Sequence, residues 1–203
     1  MALLQLARRS VPKSYPIIAG ASSHSTTQVL EFIADAYNTS ANFGLILPCA
    51  YFGKQTAPAV VRRFYGEVAS VSPLPIIIYN FPAVCNGLDL DANIITNIAK
   101  ESRNVVGVNL TCGSSDFLVG GLASGSAGRI AAFGNVFPQV VVKIYGLWTS
   151  GQHGEELALQ RLLASAETAT KAGIANTKYA ATIFTAPKTG ITDAVRLFKL
   201  RRP

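Results

Sequence analysis

A parallel α/β fold is predicted by three observations on the sequence. Four apolar residues, Pro75 to Ile78, run without polar alternation and end on Tyr79 and Asn80, as a strand buried on both faces does. Residues 104–113 repeat the form, with an apolar start, a polar end and a glycine stop. Around these two segments, helical and strand patterns alternate with short links, which is the rhythm of βαβ units. Pro82 prevents ladder pairing beyond the strand end. Tyr79 therefore stands at the carboxyl end of a buried strand, where barrels and open parallel sheets keep their chemistry. A tyrosine there can equally cap the core layer, and the pattern alone leaves both readings open.

Taken in order, residues 1–14 carry Arg8, Arg9 and Lys13 with no acid before Glu31. That composition suits a mitochondrial presequence or a helix leading into a strand. The helix is preferred, because residues 16–20 follow at once as a buried strand. Ser22, Ser23 and Ser25 then offer N-caps for a helix whose apolar face is Val29, Leu30, Phe32, Ile33 and Ala36. Residues 42–48 form the next strand and lead to a loop with Tyr51, Phe52, Gly53 and Lys54. A helix over 57–70 puts Val60, Val61, Phe64 and Val68 on one face. The strand ending at Tyr79 comes next, and Asp91 begins a helix through Ile94, Ile95 and Ile98.

Past residue 113 the rhythm breaks. Residues 113–128 are rich in glycine and serine, 129–135 read as a fifth strand, and Pro138 precedes a helix through Val141, Ile144 and Trp148. A polar turn opens a long helix over 155–171, and the chain from 173 onward is expected to be helical with a break at Pro187. The expected division is residues 1–148 as a partial β/α barrel and 149–203 as a C-terminal helical extension.

Composition narrows the function classes. With 49% hydrophobic and 14% charged residues the chain is globular, and no apolar run reaches the eighteen or so residues that cross a bilayer. The net charge of +7 is scattered, apart from Arg196, Lys199, Arg201 and Arg202. Without interleaved aromatics or a zinc-finger spacing this is weak evidence for nucleic acid. Neither a nucleic-acid nor a membrane partner is expected. Cys49, Cys85 and Cys112 make an odd number, so free thiols are expected, in the cytoplasm or alternatively in mitochondria. His24 and His153 are far apart in sequence and no CxxC spacing exists, so no metal site is expected.

The strand ends at Pro16-Ile-Ile-Ala-Gly20, Pro75-Ile-Ile-Ile-Tyr-Asn-Phe-Pro82, Asn104-Val-Val-Gly-Val and Gly128-Arg-Ile-Ala-Ala-Phe-Gly-Asn135 carry a resemblance. Together they resemble the dihydrodipicolinate synthase/N-acetylneuraminate lyase family, and within it the fungal branch related to 4-hydroxy-2-oxoglutarate aldolase. The resemblance implies a TIM (β/α)8 barrel with C-terminal helices, here incomplete, with about five of the eight strands. It implies a lyase that condenses or cleaves 2-oxo acids such as pyruvate through a lysine Schiff base. No cofactor is expected, and the resemblance implies a homotetramer or dimer.

Carried over by residue, Tyr79 falls on the tyrosine that relays protons beside the Schiff base. Tyr51 is the candidate for a tyrosine reaching a neighbouring subunit's site, one step beyond the family position, which Ala50 occupies. Ile130 falls where the family lines bound pyruvate. Asn109 stands where the family has its nucleophilic lysine, and an amide nitrogen cannot form an iminium. The resemblance further implies that two strands, with their carboxylate-binding loop, and a later helix–strand pair at Gly113–Ser114 are missing from this chain. Val84 lies near the family's arginine for an acidic aldehyde, which favours the aldolase branch. A catalytically inactive, truncated paralogue is the alternative implied by Asn109.

Overall fold

In the computed structural model, residues 2–110, 114–171 and 173–185 are described. The chain divides into two compact units, Met1–Thr111 and Cys112–Pro203.

The first unit holds four parallel strands in the order of the chain: β1 (Ile18–Gly20), β2 (Phe43–Ile46), β3 (Ile76–Asn80) and β4 (Val105–Leu110). Each link between strands carries a helix: α2 (Thr26–Asn38), α3 (Pro58–Val71) and α4 (Ala92–Glu101). An unbroken parallel order with right-handed crossovers winds in one direction and puts the helices on one face of the sheet. This is the progression of a barrel, not of a doubly wound sheet. α1 (Ala2–Ser10) precedes β1. Its last turn is basic, and Arg8 Nη2 donates to the carbonyls of Pro12 at 2.6 Å and Tyr15 at 2.9 Å. A cation suits the negative end of the helix dipole and satisfies carbonyls beyond the helix end.

Local sequence sets the helix starts. Pro58 opens α3, where its missing N–H costs nothing. Asp91 caps α4 by accepting from the Ile94 amide at 2.8 Å. The covered face of the sheet follows a strict alternation in β3. Ile76, Ile78 and Asn80 are buried under the helices, while Ile77 and Tyr79 are half-buried on the opposite, inner face. The core of this unit joins Ile46, Ile76 and Ile78 to Val29, Ile33, Val61, Tyr65, Val68 and Ile98. Burying each such aliphatic side chain stabilises the fold by about 1.5–3 kcal/mol before chain entropy is counted.

The pairing of β3 with β4 contains one irregularity. Ile76 lies opposite Val105 but Ile77 lies opposite Gly107, so Val106 is an extra residue. Successive strand residues point to opposite faces, so an odd insertion exchanges the faces of everything after it. From Gly107 on, β4 matches β3 again, with Tyr79 beside Asn109.

The second unit is helical among its described residues: α5 (Leu118–Ala123), α6 (Pro138–Thr149), α7 (His153–Glu167) and α8 (Ile174–Phe184). Leu118, Leu122, Phe133, Val136, Ile144 and Leu163 form its core. One expectation is corrected here, and with it the strand count. Residues 129–135 are not a strand: Ala132–Asn135 form a 3-10 turn that buries Phe133. Alanines lack the β-branched bulk that a pleated surface rewards, and the local bonds Gly134 N–H to Ala131 O and Val136 N–H to Phe133 O close the turn. The described residues therefore hold four strands, not five. Within this unit the Trp148 and His153 rings, on α6 and α7, lie 4.8 Å apart. The break expected at Pro187 lies outside the described residues.

Candidate active site

In a parallel sheet all carboxyl ends lie along one edge, so the segments after β1, β2 and β3 and the end of β4 form a common rim. Tyr79 and Asn109 are register partners at this rim, on the inner face, and both are half-buried. The ring of Phe81 lies 5.6 Å from that of Tyr79 at an interplanar angle of 45°. The phenol can donate or accept a proton-bearing hydrogen bond, and the Asn109 amide offers two N–H donors and one carbonyl acceptor. The pair can hold a carbonyl or carboxylate oxygen. It holds no nucleophilic amine.

The rim is tied down by polar contacts on the helix-covered face. Asn80, which follows Tyr79 and is buried, donates from Nδ2 to Asp89 Oδ1 at 2.8 Å and to the Leu90 carbonyl at 3.1 Å. Its Oδ1 accepts from the Leu90 amide at 3.1 Å. The loop of residues 81–90 is thereby stapled to the end of the strand that carries Tyr79. Ser22 does the same between β1 and β2, accepting from the Leu47 amide at 2.9 Å. The loops after β2 and β3 interlock: Gly53, at φ 54°, is so close to Asn86 that a Cβ there would lie 2.6 Å from the Asn86 carbonyl oxygen. Beneath the rim, Tyr65 is fully buried and donates to the Ile46 carbonyl at 2.9 Å. Burial, and then the charge of Cys85, pushes its phenol well above the usual tyrosine range. The Cys85 thiol is likewise pushed up, by burial first and then by Cys49.

Of the other residues singled out in the sequence, Tyr51 lies on the turn after β2 and is 72% exposed, edge-on to both His24 and Phe52. Ile130 belongs to the second unit, in the extended stretch before the 3-10 turn, and is 58% exposed. A cleft of about 490 Å3 lies on the other side of the sheet from Tyr79, between α4 and the outer face of β4, with Asn80, Leu90, Ile95, Val108 and Leu110 in its wall. No group of three metal-ligating side chains exists among the described residues. None of their helices is long and apolar enough to cross a membrane.

One pair escaped the sequence reading. His24 and Cys49 are 25 residues apart, yet Cys49 Sγ lies 3.8 Å from His24 Nδ1. The signal was available: each residue follows a parallel strand by a few positions, and all such segments share the rim.

Residues 1–120 match the dihydrodipicolinate synthetase family. A Coccidioides immitis (strain RS) protein provisionally named a mitochondrial 4-hydroxy-2-oxoglutarate aldolase is 49% identical, over 99% of this chain and 71% of the relative. An L-threo-3-deoxy-hexylosonate aldolase of Hypocrea jecorina is 30% identical, over 83% of this chain and 62% of that protein. This chain thus spans about two thirds of the length of the relatives it matches. Its structure superposes on the crystal structure of a dihydrodipicolinate synthase family protein from Coccidioides immitis with a TM-score of 0.87 and 46% identity, covering 96% of this chain and 68% of that one. The Escherichia coli K12 protein YagE, solved with pyruvate, shares the fold at a TM-score of 0.81 and 20% identity, over 98% of this chain and 79% of its own. The helix-wrapped parallel strands and these relatives lead to one conclusion: the chain belongs to the dihydrodipicolinate synthetase family.

Proposed function

We propose that this chain carries a 2-oxo-acid aldolase site that binds a small 2-oxo acid such as pyruvate without forming an imine with it. The observation that carries this reading is the pairing of Tyr79 with Asn109 on the inner face of the rim. In a class I aldolase the nucleophilic amine attacks the ketone carbon, and a nearby hydroxyl moves protons through carbinolamine dehydration and C–C cleavage. Tyr79 is suited to the second task. Asn109 occupies the first position, and its amide lone pair is delocalised into the carbonyl, so the covalent route is closed there. What remains is recognition: the Asn109 N–H groups and the Tyr79 hydroxyl as donors to the oxo and carboxylate oxygens of a ligand.

Tyr51 and Ile130 are assigned to ligand binding on the family resemblance, as is self-association into a dimer or tetramer. The mitochondrial compartment in the name of the Coccidioides relative favours that location over the cytoplasm, and subcellular fractionation would decide between them.

Pyruvate and borohydride test the reading together. Saturation-transfer NMR is expected to report pyruvate binding that weakens in Tyr79→Phe and Asn109→Leu. Mass spectrometry after borohydride is expected to find no pyruvyl adduct. A stable adduct on any residue would overturn the closed-route reading, and absence of pyruvate binding would overturn the binding site.

A further inference from the structure

The same rim holds a nucleophile that the 2-oxo-acid reading does not use. Cys49, three residues beyond β2, is half-buried, and His24, four residues beyond β1, is exposed. Their facing atoms, Sγ and Nδ1, are 3.8 Å apart, and the thiol has a second acceptor at the same distance in the His24 carbonyl. The edge-on ring of Tyr51, 6.2 Å away, borders the imidazole. Ser22, holding the Leu47 amide, fixes the two strand-end loops against each other. A thiol within reach of an imidazole nitrogen is the arrangement that activates a sulfur nucleophile, because the base takes the proton as the sulfur attacks. The chain contains its own contrast: Cys85 is fully buried, its sulfur 3.9 Å from the Pro48 carbonyl.

We propose that Cys49 and His24 form a second reactive centre on this rim, in which the thiol adds reversibly to the carbonyl carbon of a small aldehyde. An aldehyde is the partner of a 2-oxo acid in aldol chemistry, whether or not this chain turns one over, so the ligand class rests on the 2-oxo-acid reading, whereas the reactivity of the pair does not. In the addition, the Sγ–H proton passes to His24 Nδ1, sulfur bonds to the carbonyl carbon, and the carbonyl π pair moves onto oxygen. The imidazolium returns its proton to that oxygen, leaving a hemithioacetal and a neutral imidazole. No electrons are gained or lost and no co-reactant is consumed. Because the imidazole ends as it began, the reverse step frees the aldehyde intact.

The test uses the full chain and two probes, neither of which involves pyruvate or borohydride. With iodoacetamide and peptide mapping, Cys49 is expected to be alkylated about tenfold or more faster than Cys85, and His24→Ala to slow Cys49 by about tenfold or more. Added imidazole should restore much of that rate, which a purely structural role for His24 would not predict. His24→Gln serves as a second variant, and since His24 is exposed neither change removes core packing. With acetaldehyde labelled with carbon-13 at the carbonyl, a hemithioacetal resonance is expected in the wild type and its loss in Cys49→Ser. An alkylation rate at Cys49 indifferent to His24 and to imidazole would overturn the pair. An adduct absent, or located on another cysteine, would overturn the aldehyde site. Either failure leaves pyruvate binding at Tyr79 and Asn109 to stand or fall on its own experiment.

Discussion

Asn80 offers the sharpest test of how the rim is held. Its side chain satisfies two backbone groups that would otherwise be orphaned and adds a bond to an exposed carboxylate: its amide serves the Asp89 carboxylate and the Leu90 carbonyl, and its carbonyl serves the Leu90 amide. Leu90 is 2% exposed, so water cannot take over its backbone groups. At about 1 kcal/mol net for each hydrogen bond, Asn80→Ala is expected to cost about 3 kcal/mol, most of it from the orphaned Leu90 amide and carbonyl. Asp89 is exposed, and Asp89→Ala removes one bond whose donor then loses a single partner, so about 1 kcal/mol or less is expected. Asn80→Asp keeps the acceptor for the Leu90 amide but faces Asp89 and the Leu90 carbonyl with negative charge. It should cost at least as much as alanine at pH 7 and recover on acidification, since protonation restores a donor. Urea denaturation followed by far-ultraviolet circular dichroism, with amide exchange at Leu90, measures the series. A loss below about 1 kcal/mol for Asn80→Ala, or equal losses for Asn80→Ala and Asp89→Ala, would refute the three-bond account.

Asn109→Lys alone is expected to restore little aldol turnover, because an amine without a positioned substrate carboxylate lacks most of the orienting advantage. Turnover within about tenfold of an intact relative, roughly 1.4 kcal/mol of barrier, would contradict this. Tyr65→Phe should cost about 1–2 kcal/mol by stripping the Ile46 carbonyl of its buried donor, read as a lowered urea midpoint with unchanged slope. In the second unit, buried Glu167 accepts from Ser114 Oγ at 3.0 Å and from the Ser115 amide at 2.7 Å. Burial, with a smaller push from the Asp116 charge, nonetheless raises its carboxyl above the ordinary range. A carboxyl raised on folding favours the folded state below its unfolded value, and that contribution is lost as pH climbs through the raised one. Glu167→Gln, neutral and nearly isosteric, should therefore match or exceed the wild type in thermal midpoint at pH 7.5, while Glu167→Ala should lose about 1–3 kcal/mol. Equal losses in the two variants at that pH would exclude the protonation account.

The legible parts of the fold were those in which one physical signal dominates. β2 and β3 are continuous apolar runs closed by Pro48 or Pro82, and no helical periodicity competes with them. Asp91 announced the start of α4 because a cap is a local device, complete within four residues. Residues 129–135 misled because one isoleucine and one phenylalanine give the apolar content of a strand without its pairing partner. The contact of Trp148 with His153 joins helices α6 and α7, which differ in character along the sequence. Pairings between loops, His24 with Cys49 or Gly53 with Asn86, depend on which strands are neighbours, and a linear pattern does not carry that information.

The extra residue Val106 gives β4 a kind of switch that operates by counting. Were the pairing to continue unbroken from Ile76 and Val105, Val108 would stand beside Tyr79, and Asn109 would turn toward the helical layer beside Asn80. The chemistry available next to the tyrosine is thus set by whether Val106 is left out of the ladder as much as by which amino acid occupies position 109. Closing the bulge with Val106 retained would replace an amide by an isopropyl group beside the tyrosine, whereas deleting Val106 would straighten the strand and leave Asn109 where it is. A search for active members among relatives of this chain should accordingly align this strand by its pleat, not by its letters alone.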